Sequence, residues 1–146
     1  MGMKILLLLW EKEAFYDTYI LPSINTFISY RFEDVIKQYL SILIKKRLLT
    51  NIYNIGSFYY DDPINKRNGE FNVALKEENG YSVIEVKYLK NKLDSKAIKK
   101  EIEQIKDIKE RNIIGYGFAS INGFSDETLK IKYQFDGDDI FFKKLK

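Results

Sequence analysis

Apolar residues recur at Phe32, Val35, Ile36, Tyr39, Leu40, Leu43, Ile44 and Leu48. That is the one-sided stripe of a 3.6-residue period, and it predicts a long amphipathic helix. Lys45-Lys46-Arg47 closes the stripe, where cations complement the negative end of the helix dipole; a solvated cap is a simpler reading of them than a DNA contact. Upstream, Phe15 to Ile28 is rich in aromatic residues and interrupted by Pro22, which reads as a short helix or irregular segment packed on the core.

The pattern then changes to a period of two. Tyr53 to Tyr60 is a β-branched and aromatic run ending at Asp61-Asp62-Pro63, a strand followed by a turn, and Ile64 to Asn68 reads as a loop. In Glu70 to Leu75, simple alternation puts Phe71, Val73 and Leu75 on one face and Glu70, Asn72 and Ala74 on the other. Asn79-Gly80 is a strong hairpin signal. Tyr81 to Tyr88 alternates again, with Ile84, Val86 and Tyr88 opposite Val83, Glu85 and Lys87. A two-residue turn at Asn79-Gly80 would pair Glu78 with Tyr81, Ala74 with Glu85 and Asn72 with Lys87, placing Asn72, Glu85 and Lys87 on one face.

A second helix is predicted from Ser95 to about Arg111, with Asp94 as its N-cap and Ile98, Ile102, Ile105 and Ile108 as its buried stripe. Ile113 to Ser120 reads as another strand and Asn122-Gly123 as a turn, with a short helix over Phe124 to Thr128. Leu129 to Phe135 alternates, Asp136 to Asp139 reads as a turn, and Ile140 to Phe142 would close a final hairpin. The order helix, three strands, helix, strand, hairpin predicts an α/β domain with a mixed sheet flanked by helices. There is no internal repeat.

Composition narrows the chemistry. The chain has 146 residues, 45% hydrophobic and 31% charged, which suits one soluble globular domain. It contains no cysteine and no histidine, so disulfides, thiolate sites and imidazole catalysis are excluded. Any acid–base or metal chemistry must therefore use carboxylates, lysine, tyrosine or water. A net charge of +3 permits nucleic-acid binding without arguing for it. The apolar run Ile5 to Trp10 is too short to span a bilayer, and Glu11-Lys12-Glu13 follows without a cleavage site. It reads as a buried strand or helix turn in a cytoplasmic protein, with no membrane association.

The hairpin carries Glu70, Asn72, Glu85 and Lys87 among residues suited to burial. Carboxylates on neighbouring strands can hold a hard divalent cation that activates water against a phosphodiester, and a nearby lysine can stabilise the charge that develops. An acidic residue followed in the next strand by Glu-x-Lys is the signature of PD-(D/E)xK nucleases, weak on its own because Glu and Lys two apart are common. Glu33, in the early part of the long helix, shares a face with Ile36 and Leu40 and could complete such a site. A glutamate favoured by the helix dipole explains Glu33 equally well.

Several blocks carry a more specific likeness. RFEDVIKQYL at Arg31–Leu40, IGSFYY at Ile55–Tyr60, GEFNVAL at Gly69–Leu75, IEVKY at Ile84–Tyr88 and FASINGFSDE at Phe118–Glu127 follow one another along the chain. Together, in this order, they resemble the nuclease-like C-terminal domain of archaeal and bacterial AAA-type ATPases, and FYDTYILP at Phe15–Pro22 is similar to the stretch leading into it. The resemblance implies a restriction-endonuclease-like mixed central sheet flanked by helices, with residues 1–30 as an N-terminal packing segment and 31–146 as the nuclease-like domain. It implies Glu33, Asn72, Glu85 and Lys87 as catalytic positions, with Asn72, Glu85 and Glu70 as ligands of Mg2+ or its substitute Mn2+. The partners it implies are DNA and a separately encoded ATPase module; a homo-oligomer stays open.

Two departures qualify this. No Gly-rich loop ending in Gly-Lys-Ser/Thr occurs, so the chain has no ATP site of that type and reads as an excised or stand-alone C-terminal domain. The resembling family places Asp where this chain has Asn72, and a neutral amide is a poorer magnesium ligand. Glu70 lies about 7 Å along the strand, but the family commonly has a carboxylate there besides the Asp. The expectation is impaired cleavage. Its alternatives are an active magnesium-dependent nuclease, a non-catalytic module that binds nucleic acid or protein, or an inactive remnant; Lys90, Lys92, Lys96, Lys99 and Lys100 could follow a nucleic-acid backbone, although acids are interleaved and a solvated charged helix is the simpler reading.

Overall fold

The computed structural model describes residues 12, 14–64, 66–108, 111–125 and 131–143. Its internal contacts divide it into two compact units, Met1–Arg31 and Phe32–Lys146. The apolar run at residues 5–10 lies outside the described residues. A π-helical turn in the first unit, Tyr16–Ile20, leads into helix α1, Leu21–Lys45, which runs on into the second unit from Phe32. Pro22 does not interrupt this helix. It sits in the first turn, where the N–H that proline lacks would have no intrahelical partner.

α1 ends before the predicted Leu48 in a Schellman-type turn. Arg47 takes a left-handed φ of 58°, Arg47 N donates to Ile44 O at 3.0 Å and Leu48 N to Leu43 O at 2.9 Å. Most of the predicted stripe is buried: Phe32, Ile36, Tyr39, Leu40 and Leu43 form one side of the main core, while Val35 and Ile44 are half-buried and Leu48, beyond the helix end, is exposed.

Five strands follow: β1 Ile52–Asp62, β2 Arg67–Glu77, β3 Tyr81–Lys87, β4 Ile113–Ser120 and β5 Tyr133–Asp136. They lie in sequence order in one sheet. β1, β2 and β3 pair antiparallel through hairpins, whereas β3, β4 and β5 are parallel. The β3–β4 connection is a crossover carrying helix α2, Ser95–Lys106. Asp94 caps α2 as expected, accepting from Ala97 N at 2.8 Å. The helix stops short of the predicted Arg111, with Asp107 as its C-cap. The expected mixed central sheet flanked by helices is thus present, with α1 and α2 covering opposite faces. Val73, Leu75, Ile84 and Ala119 meet the α1 stripe, while Phe58, Phe71, Ala74 and Val83 meet Ile105 and Ile108.

That partition shows an irregularity simple alternation did not predict. Gly56 pairs with Ala74 but Phe58 pairs with Phe71, so Ser57 alone faces both Asn72 and Val73. This is a β-bulge, and its extra residue reverses the strand's facing. Phe71 therefore packs with Ala74 on the α2 side, while Val73 and Leu75 pack on the α1 side. The expected grouping of Phe71 with Val73 and Leu75 is wrong for this reason.

The β2–β3 register also differs. Lys76 pairs with Tyr81, Leu75 with Ser82 and Ala74 with Val83, so the connection spans residues 77–80 and not Asn79-Gly80 alone. Glu77 explains the longer turn, because its side chain is buried, accepting from the Ser82 hydroxyl, from Tyr133 Oη at 2.9 Å and from Lys132 Nζ at 2.5 Å. A two-residue turn would require Glu77 to continue the ladder. Gly80 backs onto the Asn112 carbonyl, where any Cβ would collide.

The predicted final hairpin is also corrected. β5 lies parallel to β4, and Gly137–Phe141 is a short helix, α3. Asp136 and Asp139 form a reciprocal capping box that starts this helix where the sequence pattern suggested a turn. Residues 126–130, including part of the expected short helix and strand, lie outside the described residues. Among the described residues no helix is long and apolar enough to cross a membrane.

Burial pushes the Glu77 carboxyl up, but the hydrogen bonds from Lys132, Ser82 and Tyr133 outweigh it and hold the group below its ordinary value of 4.5. A depressed acid contributes stability that is present above the unfolded-state value and is lost as pH falls through the folded one. Glu77→Ala leaves two buried hydroxyls unpaired and should cost about 3 kcal/mol near pH 7. Urea unfolding at pH 7 and pH 3 checks both points: the deficit of the variant should shrink at acid pH, and an unchanged deficit would contradict the assignment.

Candidate functional site

The β2–β3 ladder stops at Val73 and Ile84. Beyond that pair Val86 N donates not to the neighbouring backbone but to Asn72 Oδ1, at 3.3 Å. The Asn72 amide therefore fills a fork between the strands. Its other end, Nδ2, donates to Glu33 Oε1 on α1 at 2.8 Å. An N–H must face an oxygen and a carboxylate oxygen must face a donor, so the two neighbours fix the orientation of the amide. The Asn72 backbone carbonyl accepts from Ser57 Oγ at 3.1 Å, and Ser57 Oγ in turn accepts from Lys37 Nζ at 2.9 Å.

On the other side of the fork Lys87 bonds Glu101 of α2 at 3.0 Å. Glu85 shares the parity of Lys87 and of Val83, which packs on the α2 side. Burial pushes the Glu85 carboxyl up to about 7; Lys87 opposes this, and the charges of Glu101 and Glu33 add to it. Glu33 is also raised, first by burial and then by Glu70, with Lys37 and the Asn72 bond pulling the other way.

The predicted residues are thus only partly assembled. Glu33 and Asn72 touch, and Glu85 lies within the electrostatic reach of Lys87, Glu101 and Glu33. Asn72 and Lys87 do not share a face as the two-residue turn would have had it. The bulge turns Asn72 toward α1, while Lys87 points to α2. Glu70 is exposed at the margin, where the Tyr59 hydroxyl bonds it. Glu101 and Ser57 were not singled out from sequence. Glu101 belongs to a densely charged helix surface that reads as solvated, and Ser57 matters only because the bulge lies opposite it. Ser120, paired with Lys87 in the β3–β4 register, has a fully buried hydroxyl without a hydrogen-bond partner.

These donors fall short of a resident magnesium ion. Magnesium requires near-octahedral oxygen ligands and is usually held by one or two ionised carboxylates. Here Asn72 Oδ1 already accepts a backbone N–H, one Glu33 oxygen accepts the amide, and burial of Glu85 disfavours its ionised form. Among the described residues no group of three acidic side chains gathers closely enough to hold a metal ion.

Residues 7–105 match the model of the DUF234 family, described as archaeal and bacterial proteins of unknown function. The chain belongs to that family. The match spans α1, the three antiparallel strands and nearly all of α2, and so includes the whole fork. No curated protein and no solved structure matches the chain.

The raised Glu85 carboxyl has a sign that can be measured. Between its unfolded value near 4.5 and its folded value of about 7 the folded state holds the extra proton, so stability falls as pH rises through that window. The whole shift corresponds to about 3 kcal/mol. With no histidine in the chain, few other side chains titrate there. Glu85→Gln should match the wild type near pH 5 and exceed it at pH 8 in urea unfolding; parallel pH profiles would refute the burial of an ionisable Glu85.

Proposed function

We propose that this chain is a nuclease-like domain that keeps a PD-(D/E)xK frame but has lost metal-dependent phosphodiester cleavage. The observation that carries this reading is the use of Asn72. An aspartate there would present one oxygen to Val86 N–H and another toward Glu33, so that two carboxylates would share a site open to a cation. The amide presents a donor to Glu33 instead, and a hydrogen bond takes the place of the metal bridge. The resemblance of five sequence blocks to the C-terminal domain of AAA-type ATPases supports the ancestry, and the α-β-β-β-α-β order is compatible with it.

In this reading Glu85 and Lys87 persist from the ancestral site, with Lys87 now held by Glu101. The domain acts in the cytoplasm by binding, either to DNA or to a separately encoded ATPase module. The exposed Lys90, Lys92, Lys96, Lys99 and Lys100 support the DNA version, although acids are interleaved with them.

Restoring the acid is the direct test. Asn72→Asp should gain saturable Mn2+ binding and a Mn2+-dependent rise in melting temperature, neither shown by the wild type. Without metal it should be less stable by about 1–2 kcal/mol, since two carboxylates then face each other without the amide bond. Wild-type protein should leave supercoiled plasmid uncut in Mg2+ and Mn2+. Nicking by the wild type that disappears in Lys87→Ala would overturn the proposal.

A further inference from the structure

Among the described residues, α2 covers only part of its face of the sheet: Phe71, Ala74 and Val83 pack with Ile105 and Ile108, and toward the β2–β3 turn the same face borders a cavity. The cavity, of about 300 Å³, is bounded by Asn54, Gly56, Phe58, Lys76, Tyr81 and Arg111, among others. Its floor follows from the register. Asn54 and Gly56 on β1 pair with Lys76 and Ala74 on β2, and Lys76 pairs with Tyr81 on β3, so these residues share one patch of one face. A Cβ built on Gly56 meets nothing within 4 Å among the described residues, so the missing side chain leaves space there.

The charges here are unusual. Lys76 Nζ lies 4.4 Å from the centre of the Tyr81 ring, and the Arg111 guanidinium lies 5.5 Å from the same ring and 5.6 Å from that of Phe58. Arg111 also donates to Tyr81 Oη at 3.3 Å. Two full positive charges therefore converge on one tyrosine, and among the described residues neither is bonded to a carboxylate. Ring faces attract each cation but do nothing for the repulsion between them. An anion in the cavity would relieve it. The guanidinium gives one N–H to Tyr81 Oη, and its planar fork has further N–H groups suited to an oxyanion.

We infer that this cavity binds an organic phosphate of about one nucleotide, either free or as one unit of a strand. Lys76 and Arg111 hold the phosphate, and the apolar floor of Phe58, Ala74 and Gly56 takes the carbon-bearing part. The volume exceeds what a bare phosphate fills and lies at the small end of ligand cavities. Ser57 borders this cavity and also bonds the Asn72 backbone, but the groups that hold the phosphate are not those of the Glu33–Asn72 fork, and binding needs neither metal nor cleavage, so the inference is tested independently of the reading above.

Calorimetric titration of the full chain with AMP, inorganic phosphate, adenosine and a short single-stranded oligonucleotide tests the inference. AMP or the oligonucleotide should bind saturably and more weakly as salt rises. Binding of AMP assigns a free ligand, and binding of the oligonucleotide alone assigns a strand. Arg111→Ala and Lys76→Met should each weaken binding at least tenfold. Gly56→Leu, which fills the space and leaves both charges in place, should abolish it. Its strand position has no positive φ to strain, and a retained melting temperature shows that the fold is intact. The inference is wrong if no probe binds, if adenosine binds as tightly as AMP, if inorganic phosphate matches AMP, or if binding survives Gly56→Leu.

Discussion

Asn72 and Val73 occupy the space of one residue against Ser57, and the geometry around the fork depends on that excess. A strand in regular alternation would send Asn72 to the side opposite Val73. The bulge lets both face α1, so that Val73 can join the core under Ile36 and Leu40 while Asn72 reaches Glu33. The β2–β3 pairing ends at the same place, Val73 opposite Ile84. The Asn72 side chain then bonds Val86 N, which would otherwise lose its partner at the end of the pairing. One local irregularity thus positions a polar side chain, satisfies a backbone donor and keeps the hydrophobic layer continuous.

The polar groups of the domain divide into two kinds. Glu77, Ser82, Tyr133 and Lys132 form a network in which the acid is supplied with donors, and its carboxyl is accordingly depressed. Such a network ties the β2–β3 turn to β5 and helps to specify which strands meet. Glu85 is the opposite case: it is desolvated with incomplete compensation, and its carboxyl is raised. Groups left in that condition are more common at functional sites than in scaffolding. The fork thus carries the desolvated Glu85 and the paired Lys87 on one side and a satisfied amide on the other.

Membership of the family is shown over a span that ends within α2, and the open cavity is bounded by Arg111 beyond it. The two features thus sit differently in the chain. The fork is built entirely from the matched region, whereas the cavity needs a residue downstream of the match. They also differ in physical character, since the fork is acidic and internally bonded and the cavity is cationic and open.

Much of the fold was legible because it rests on local periodicity. The buried face of α1, the cap at Asp94, the three consecutive strands and the extent of β4 all follow from spacing and capping chemistry that act over a few residues. Glu33, Asn72, Glu85 and Lys87 could be singled out for a related reason: polar residues among apolar ones are visible without knowing the partners. What the linear pattern could not contain was the pairing. The bulge exists only because β1 lies beside β2, and the longer turn only because Tyr133 and Lys132, more than fifty residues away, bring donors to Glu77. The capping box that turned an expected strand into α3 was present as Asp136 and Asp139, yet the same residues also suit a turn. Composition and spacing determined most of the apolar positions that are buried and where the charges fall along the chain. Only the tertiary structure decided which face each one met, because a single inserted residue reverses a strand and its effect is seen only against a neighbour.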